Sequence, residues 1–195
     1  MTTSRSPRIG LFGGTFDPPH NAHVALARAA LGTLQLDELR WIPAGAPWQK
    51  ARAITPAAHR EAMVRLAIAG EPRFVLDRCE LEREGPSYTI DTVRALQAAG
   101  DLFLIIGADQ YAGLHTWRGW QELLGLVTLA VANRPGPHPG PDPRVLRVAH
   151  RAVPLPMLDI SATEVRSRVA QGLPIDSMVP PTVASYIDKH ALYRS

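Results

Sequence analysis

Cysteine is nearly absent: Cys79 stands alone among 195 residues. A single thiol excludes an intramolecular disulfide and suits a reducing compartment. Long apolar runs are missing too. The longest nearly unbroken one, Leu123–Ala132, is too short to span a bilayer. The stretch Met1–Pro7 is polar, carries no apolar signal-peptide core and reads as a flexible leader. These absences lead us to expect a soluble cytoplasmic protein with no membrane partner. Blocks of like charge are also lacking. The net charge is +3 and the pI about 9.4, yet Lys and Arg are scattered rather than gathered into a patch. That argues against nucleic acid and for a small anionic ligand. No G-x-G-x-x-G follows the first strand, so an ordinary NAD-dependent dehydrogenase is not expected. A G-x-S-x-G nucleophile element is missing as well.

What is present is an alternation of short apolar runs and helical patterns. Strands are expected at Arg8–Phe12, Leu39–Ile42, Phe74–Leu76, Leu102–Ile106, Val127–Ala132 and Ala152–Leu155. Most are rich in Val, Ile, Leu or Phe, as in strands covered on both faces. Helices are expected at His20–Leu34, from Thr55 and Pro56 to Gly70, at Thr89–Ala99 before Gly100, at Thr163–Gln171 before Gly172, and at Pro181–Tyr193. The alternation implies an α/β fold: a Rossmann-like, doubly wound, mostly parallel sheet with helices on both faces. Length and even composition point to one domain over residues 1–195. Residues 134–143 hold five prolines and two glycines and read as an exposed loop.

The most informative stretch is Gly13-Gly14-Thr15-Phe16-Asp17-Pro18-Pro19-His20-Asn21-Ala22-His23, between the first strand and the first helix. In an open α/β sheet that junction faces the ligand crevice. A glycine turn lets backbone approach a ligand, and a helix N-terminus favours anions. His20 and His23, three apart, share one helix face. Together these features suit a phosphate, with imidazole donors aimed at phosphoryl oxygens. The same H-x-x-H spacing also fits a metal, with Asp17 as third ligand. The glycine turn favours phosphate, and no second His or Cys cluster completes a zinc site. Ser161-Ala162-Thr163-Glu164 has the form of a capping box, and Arg166 follows within the first turns.

The motif Gly-Gly-Thr-Phe-Asp-Pro-x-His-x-x-His resembles the signature of the bacterial nicotinate-nucleotide adenylyltransferases, within the nucleotidylyltransferase superfamily. Ile160-Ser161-Ala162-Thr163-Glu164-Val165-Arg166 is similar to that family's I-S-x-T-x-x-R element. Pro86-Ser87-Tyr88-Thr89, Gly107-Ala108-Asp109 and Asn133-Arg134-Pro135-Gly136 match in order and spacing. The resemblance implies adenylyl transfer from ATP to nicotinate mononucleotide, giving deamido-NAD and pyrophosphate, with Mg²⁺ carried by ATP. It implies catalytic roles for His20 and His23. It implies ATP contacts at Gly13, Gly14, Thr15, Phe16, Lys50, Ser161, Thr163 and Arg166. Acceptor contacts are implied at Ser87, Tyr88, Thr89, Asp109, Trp117 and Arg134. Where the family commonly shows P-P-H-K, this chain reads Pro47-Trp48-Gln49-Lys50, so a neutral donor replaces the histidine. Three alternatives stay open. Two change the acceptor, to nicotinamide mononucleotide or pantetheine phosphate, although the pantetheine enzymes usually begin T-x-x-H. The third is a non-catalytic nucleotide sensor. A homo-oligomer is compatible with all of them.

Overall fold

The computed structural model describes residues 5–47, 53–133, 140–154 and 158–194. Six strands, β1 (Arg8–Gly14), β2 (Glu38–Pro43), β3 (Phe74–Leu76), β4 (Asp101–Gly107), β5 (Thr128–Asn133) and β6 (His150–Pro154), form one sheet in the order β3-β2-β1-β4-β5-β6. Every neighbouring pair is parallel. The order reverses between β1 and β4, which opens a crevice at the carboxyl ends of these two strands. The helices are α1 (Asn21–Thr33), α2 (Ala57–Ile68), α3 (Cys79–Glu82), α4 (Thr89–Leu96), α5 (Ala108–Ala112), α6 (Trp120–Leu126), α7 (Pro143–Leu146), α8 (Ala162–Ala170) and α9 (Pro181–Lys189).

Strand periodicity sorts the core into two layers. In β4, Phe103 and Ile105 face one side, with Val24, Ala27 and Leu31 of α1 and Val64 and Ile68 of α2. Leu102, Leu104 and Ile106 face the other, with Ile90 and Val93 of α4, Leu123 of α6 and Val145 of α7. A third cluster joins Met63 of α2 to Val165 of α8 and to Val183 and Ile187 of α9. Helices therefore cover both faces, as the sequence predicts. Among the described residues no helix is long and apolar enough to cross a membrane.

Several boundaries differ from expectation, each for a local reason. Gly13 and Gly14 are not a turn. They are the last residues of β1, paired with Ile42 and Pro43 of β2. Helix α2 starts at Ala57 because Pro56 is its non-helical cap, at ψ 144°. Helix α9 stops at Lys189, and the chain then turns through Ala191 (φ 48°) and Tyr193 (φ 64°). The apolar run Leu123–Ala132 divides between α6 and β5. Pro143, placed in the loop from sequence, opens α7, where a proline suits the first position and Asp142 caps by accepting the Arg144 N–H at 2.9 Å. Leu155, expected at the end of β6, lies outside the described residues.

Candidate active site

Strand β1 delivers the chain to the crevice, and the next six residues build its floor. A Cβ on Gly13 would meet nothing within 4 Å, so this strand end opens into space. A Cβ on Gly14 would lie 2.9 Å from the Phe16 ring. Glycine is needed there because Phe16 folds back beneath the strand end. Phe16 takes left-handed backbone (φ 50°) and is 2% exposed. Such backbone costs about 1–2 kcal/mol for a residue with a Cβ, and burial of the ring offsets it. Phe16 lies 5.1 Å from the Trp41 ring and 5.6 Å from the Phe12 ring. The imidazole of His23 rests edge-on against Phe16 at 5.2 Å. The Phe16 side chain is therefore the floor beneath His23.

His20 caps α1 in extended backbone (φ −141°, ψ 172°) and is buried. Its N–H donates to His23 Nδ1 at 3.2 Å. The accepting Nδ1 carries no proton, so the neutral His23 ring carries its proton on Nε2. The two imidazoles stack, with centroids 3.7 Å apart and planes 22° from parallel. The sequence reading also placed free α1 N–H groups here. The structure commits two of them elsewhere: Asn21 N–H donates to the Met178 carbonyl at 2.8 Å and His23 N–H to the His20 carbonyl at 2.9 Å.

The second motif is brought to the first. Ser161 caps α8 by accepting the Glu164 N–H at 3.1 Å. Arg166 donates from Nη1 to the Asp17 carbonyl at 2.8 Å and from Nη2 to Thr163 Oγ1 at 3.2 Å. Ser161 and Thr163 are exposed beside it. The Asp17 carboxylate is not available to a metal. It is 1% exposed, and it accepts from the Tyr193 hydroxyl at 2.8 Å and from the Thr55 N–H at 3.4 Å. Among the described residues no three His, Cys, Asp or Glu side chains gather where they could hold an ion. The metal reading of H-x-x-H therefore loses its third ligand.

On the acceptor side the structure changes the part played by Ser87. Its hydroxyl accepts from Gly45 N–H (3.0 Å) and Ala46 N–H (3.2 Å) and bonds the Glu80 carboxylate, while its own N–H donates to the Ala46 carbonyl (3.1 Å). Ser87 is a clamp between the loop after β2 and the start of α4. Gly45 belongs to the same clamp, since a Cβ there would lie 2.1 Å from the Glu80 carbonyl. Glu80 is buried, and burial pushes its carboxyl up against the pull of the Thr92 and Ser87 hydroxyls. Thr92 donates to Glu80 Oε1 at 2.7 Å. The neighbouring Cys79 thiol is pushed up to about 12 by burial.

The guanidinium of Arg118, the residue after Trp117, sits 4.7 Å over the Tyr88 ring. Trp117 and Tyr88 are partly buried against the same core layer. Thr89 is the first residue of α4. Asp109 is exposed within the first turn of α5; the cap of that helix is Gly107, so Asp109 does not cap it. Lys50, Gln49 and Arg134 lie outside the described residues.

Sequence reasoning missed Arg60, Gly45, Glu80 and Tyr193. Arg60 left one trace. It stands on the buried stripe of α2, three and four residues before Met63 and Val64, where an apolar side chain is expected. Glu80 and Tyr193 acquire their partners only through the tertiary fold.

Residues 11–168 match the family model described as cytidylyltransferase-like. A protein of Methylibium petroleiphilum named "Probable nicotinate-nucleotide adenylyltransferase" is 52% identical, over 99% of this chain and 95% of that one. One of the same name from Bordetella petrii is 50% identical, over 96% of this chain and 99% of that one. The Plasmodium falciparum nicotinic acid mononucleotide adenylyltransferase, solved in complex with NaAD, superposes with a TM-score of 0.75 at 21% identity, covering 96% of this chain and 97% of that one. This last likeness concerns the fold. Near-full-length identity of this order, on a chain that pairs the two histidines with Arg166 at the crevice, places it in the nicotinate-nucleotide adenylyltransferase family of cytidylyltransferase-like proteins.

Proposed function

We propose that this chain transfers the adenylyl group of ATP to nicotinate mononucleotide, forming deamido-NAD and pyrophosphate. The observation that carries the reading is the stacked His20–His23 pair at the end of the central strand, with Arg166 bonded to the loop that leads into it. The acceptor is a phosphate monoester, largely ionised near neutral pH, and needs no strong general base. Its oxygen attacks the α-phosphorus in line. One O–P bond forms, the bond to the bridging α,β-oxygen breaks, and pyrophosphate leaves with that electron pair. The protein's task is to position the reactants and stabilise charge on the α-phosphoryl group and the leaving group.

His23 Nε2–H and His20 donate to the α-phosphoryl oxygens. Gly13, Gly14 and Thr15 border the nucleotide, with Phe16 as floor. Arg166, Thr163, Ser161 and the start of α8 receive the β,γ-phosphates, where a charged donor and a helix N-terminus reinforce one another. Lys50 and Arg134 are assigned to phosphates by family resemblance. Thr89 and the start of α4 face the nicotinate carboxylate, Tyr88 and Trp117 cover the ring, and Asp109 meets ribose hydroxyls. Mg²⁺ enters as part of the ATP substrate, bound through phosphate oxygens rather than a protein cage.

Pyrophosphate release from ATP with a panel of phosphate acceptors tests the reaction. Arg166→Ala tests the phosphate end. Loss of one charge-assisted donor is expected to raise KM for ATP roughly tenfold, with KM for the acceptor little changed. If the variant loses only thermal stability and keeps its KM for ATP, Arg166 is a structural tether and nothing more.

A further inference from the structure

We propose that Arg60 is the positioning residue of the loop after β1 that carries the ATP-facing residues, tying it to the loop after β2 and to the segment before α2. Arg60 is 2% exposed. Its Nε donates to the Thr55 carbonyl at 2.9 Å, Nη1 to the Thr15 carbonyl at 3.0 Å and Nη2 to the Gly45 carbonyl at 3.5 Å. These carbonyls belong to the segment before α2, the loop after β1 and the loop after β2. One planar fork thus joins three chain segments. Lysine cannot replace it, because a single ammonium on a flexible stem lacks the fixed five-donor geometry.

A charged group in this position has a purpose that an apolar one would not serve. A leucine would fill the space against Met63 and Val64 but would tie no loop. Burial disfavours the guanidinium charge, and the attraction of Asp17 opposes that penalty. The Asp17 carboxylate is in turn oriented by the Tyr193 hydroxyl from beyond α9, and Tyr193 is itself partly buried beside it. The network ends where the chemistry begins. Thr15 and Asp17 flank the left-handed Phe16, and the Asp17 carbonyl anchors Arg166. A shift of this loop moves the His20–His23 pair and Arg166 together. The C-terminal turn is thereby part of the ATP site without touching ligand.

The inference rests on the adenylyl-transfer reading, and the test separates the two. Arg60→Met, Asp17→Asn, the double variant and Tyr193→Phe are compared with the parent for Tm, for ATP Kd by calorimetry, and for kcat and both KM values. Arg60→Met strips three carbonyls of their donor and Asp17→Asn removes the attraction that opposes burial of the Arg60 charge, so each is expected to lower Tm. The double variant leaves neither charge but still strips the three carbonyls of their donor. It should recover part of the Tm while keeping ATP Kd and KM raised tenfold or more, with KM for the acceptor, whose loop Ser87 still clamps, changing less. Tyr193→Phe removes one hydroxyl and is expected to raise KM for ATP about threefold with little change in Tm. A double variant that recovers both Tm and parental ATP kinetics overturns the proposal, because Arg60 then only balances charge. A Tyr193→Phe enzyme with unchanged KM for ATP overturns the role of the C-terminal turn. A parent that binds ATP but releases no pyrophosphate with nicotinate mononucleotide contradicts the functional reading instead, and ATP Kd still tests Arg60.

Discussion

Replacing His23 with alanine is expected to lower kcat by about 100-fold or more, the scale of losing one preorganised oxyanion donor, while KM for ATP changes much less. Three features hold the His23 ring in one pose: the His20 N–H on Nδ1 at 3.2 Å, the stacked His20 ring at 3.7 Å and the edge contact with Phe16 at 5.2 Å. A donor fixed in this way pays little reorganisation when charge develops on the α-phosphoryl oxygens. It is therefore expected to act on the transition state rather than on ground-state binding. The fold should survive the change, because His23 is only partly buried and lies outside the three apolar clusters. Single-turnover rates at saturating ATP check the expectation. A near-parental rate would remove His23 from the chemistry.

The second large effect is discrimination at the acceptor. Nicotinate and nicotinamide mononucleotides differ only in carboxylate against amide. The start of α4 presents N–H donors, and its dipole favours negative charge. The Ser87 clamp and the buried Glu80–Thr92 bond fix where those donors point. An amide at this position loses the charge and one acceptor. Taking charged hydrogen bonds at their usual strength, the exchange costs about 2–4 kcal/mol in a desolvated pocket. That corresponds to roughly 30- to 1,000-fold in kcat/KM. Paired kinetics with the two mononucleotides at saturating Mg-ATP measure the ratio. Equal values, or faster turnover of the amide, would show that the start of α4 does not read this group.

The parts of this account legible in the sequence are those written locally. The junction of β1 and α1 could be read because strand, prolines and paired histidines follow one another within sixteen residues, from Arg8 to His23. The Ser161 cap was legible for the same reason, since its partner Glu164 is three residues away. Even there, short-range reading mistook Gly13 and Gly14 for a turn. Their pairing with Ile42 and Pro43 depends on β2, which lies elsewhere in the chain. Arg60 meets Thr15 across 45 positions, and Tyr193 meets Asp17 across 176. No spacing rule reaches that far, and a buried arginine or tyrosine looks like a surface one until its neighbours are placed. Ser87 shows the same limit: its position at the head of α4 was legible, but its bonds to Gly45 and Ala46 come only with the fold.

The central claim is adenylyl transfer to nicotinate mononucleotide at the His20–His23 crevice. Its most direct test is to identify the products formed by the purified chain from ATP, Mg²⁺ and nicotinate mononucleotide. The account predicts deamido-NAD and pyrophosphate in equal amounts, with CTP a poor substitute for ATP and formation all but lost in His23→Ala. ATP binding without a dinucleotide product, or transfer from CTP at a comparable rate, would contradict it.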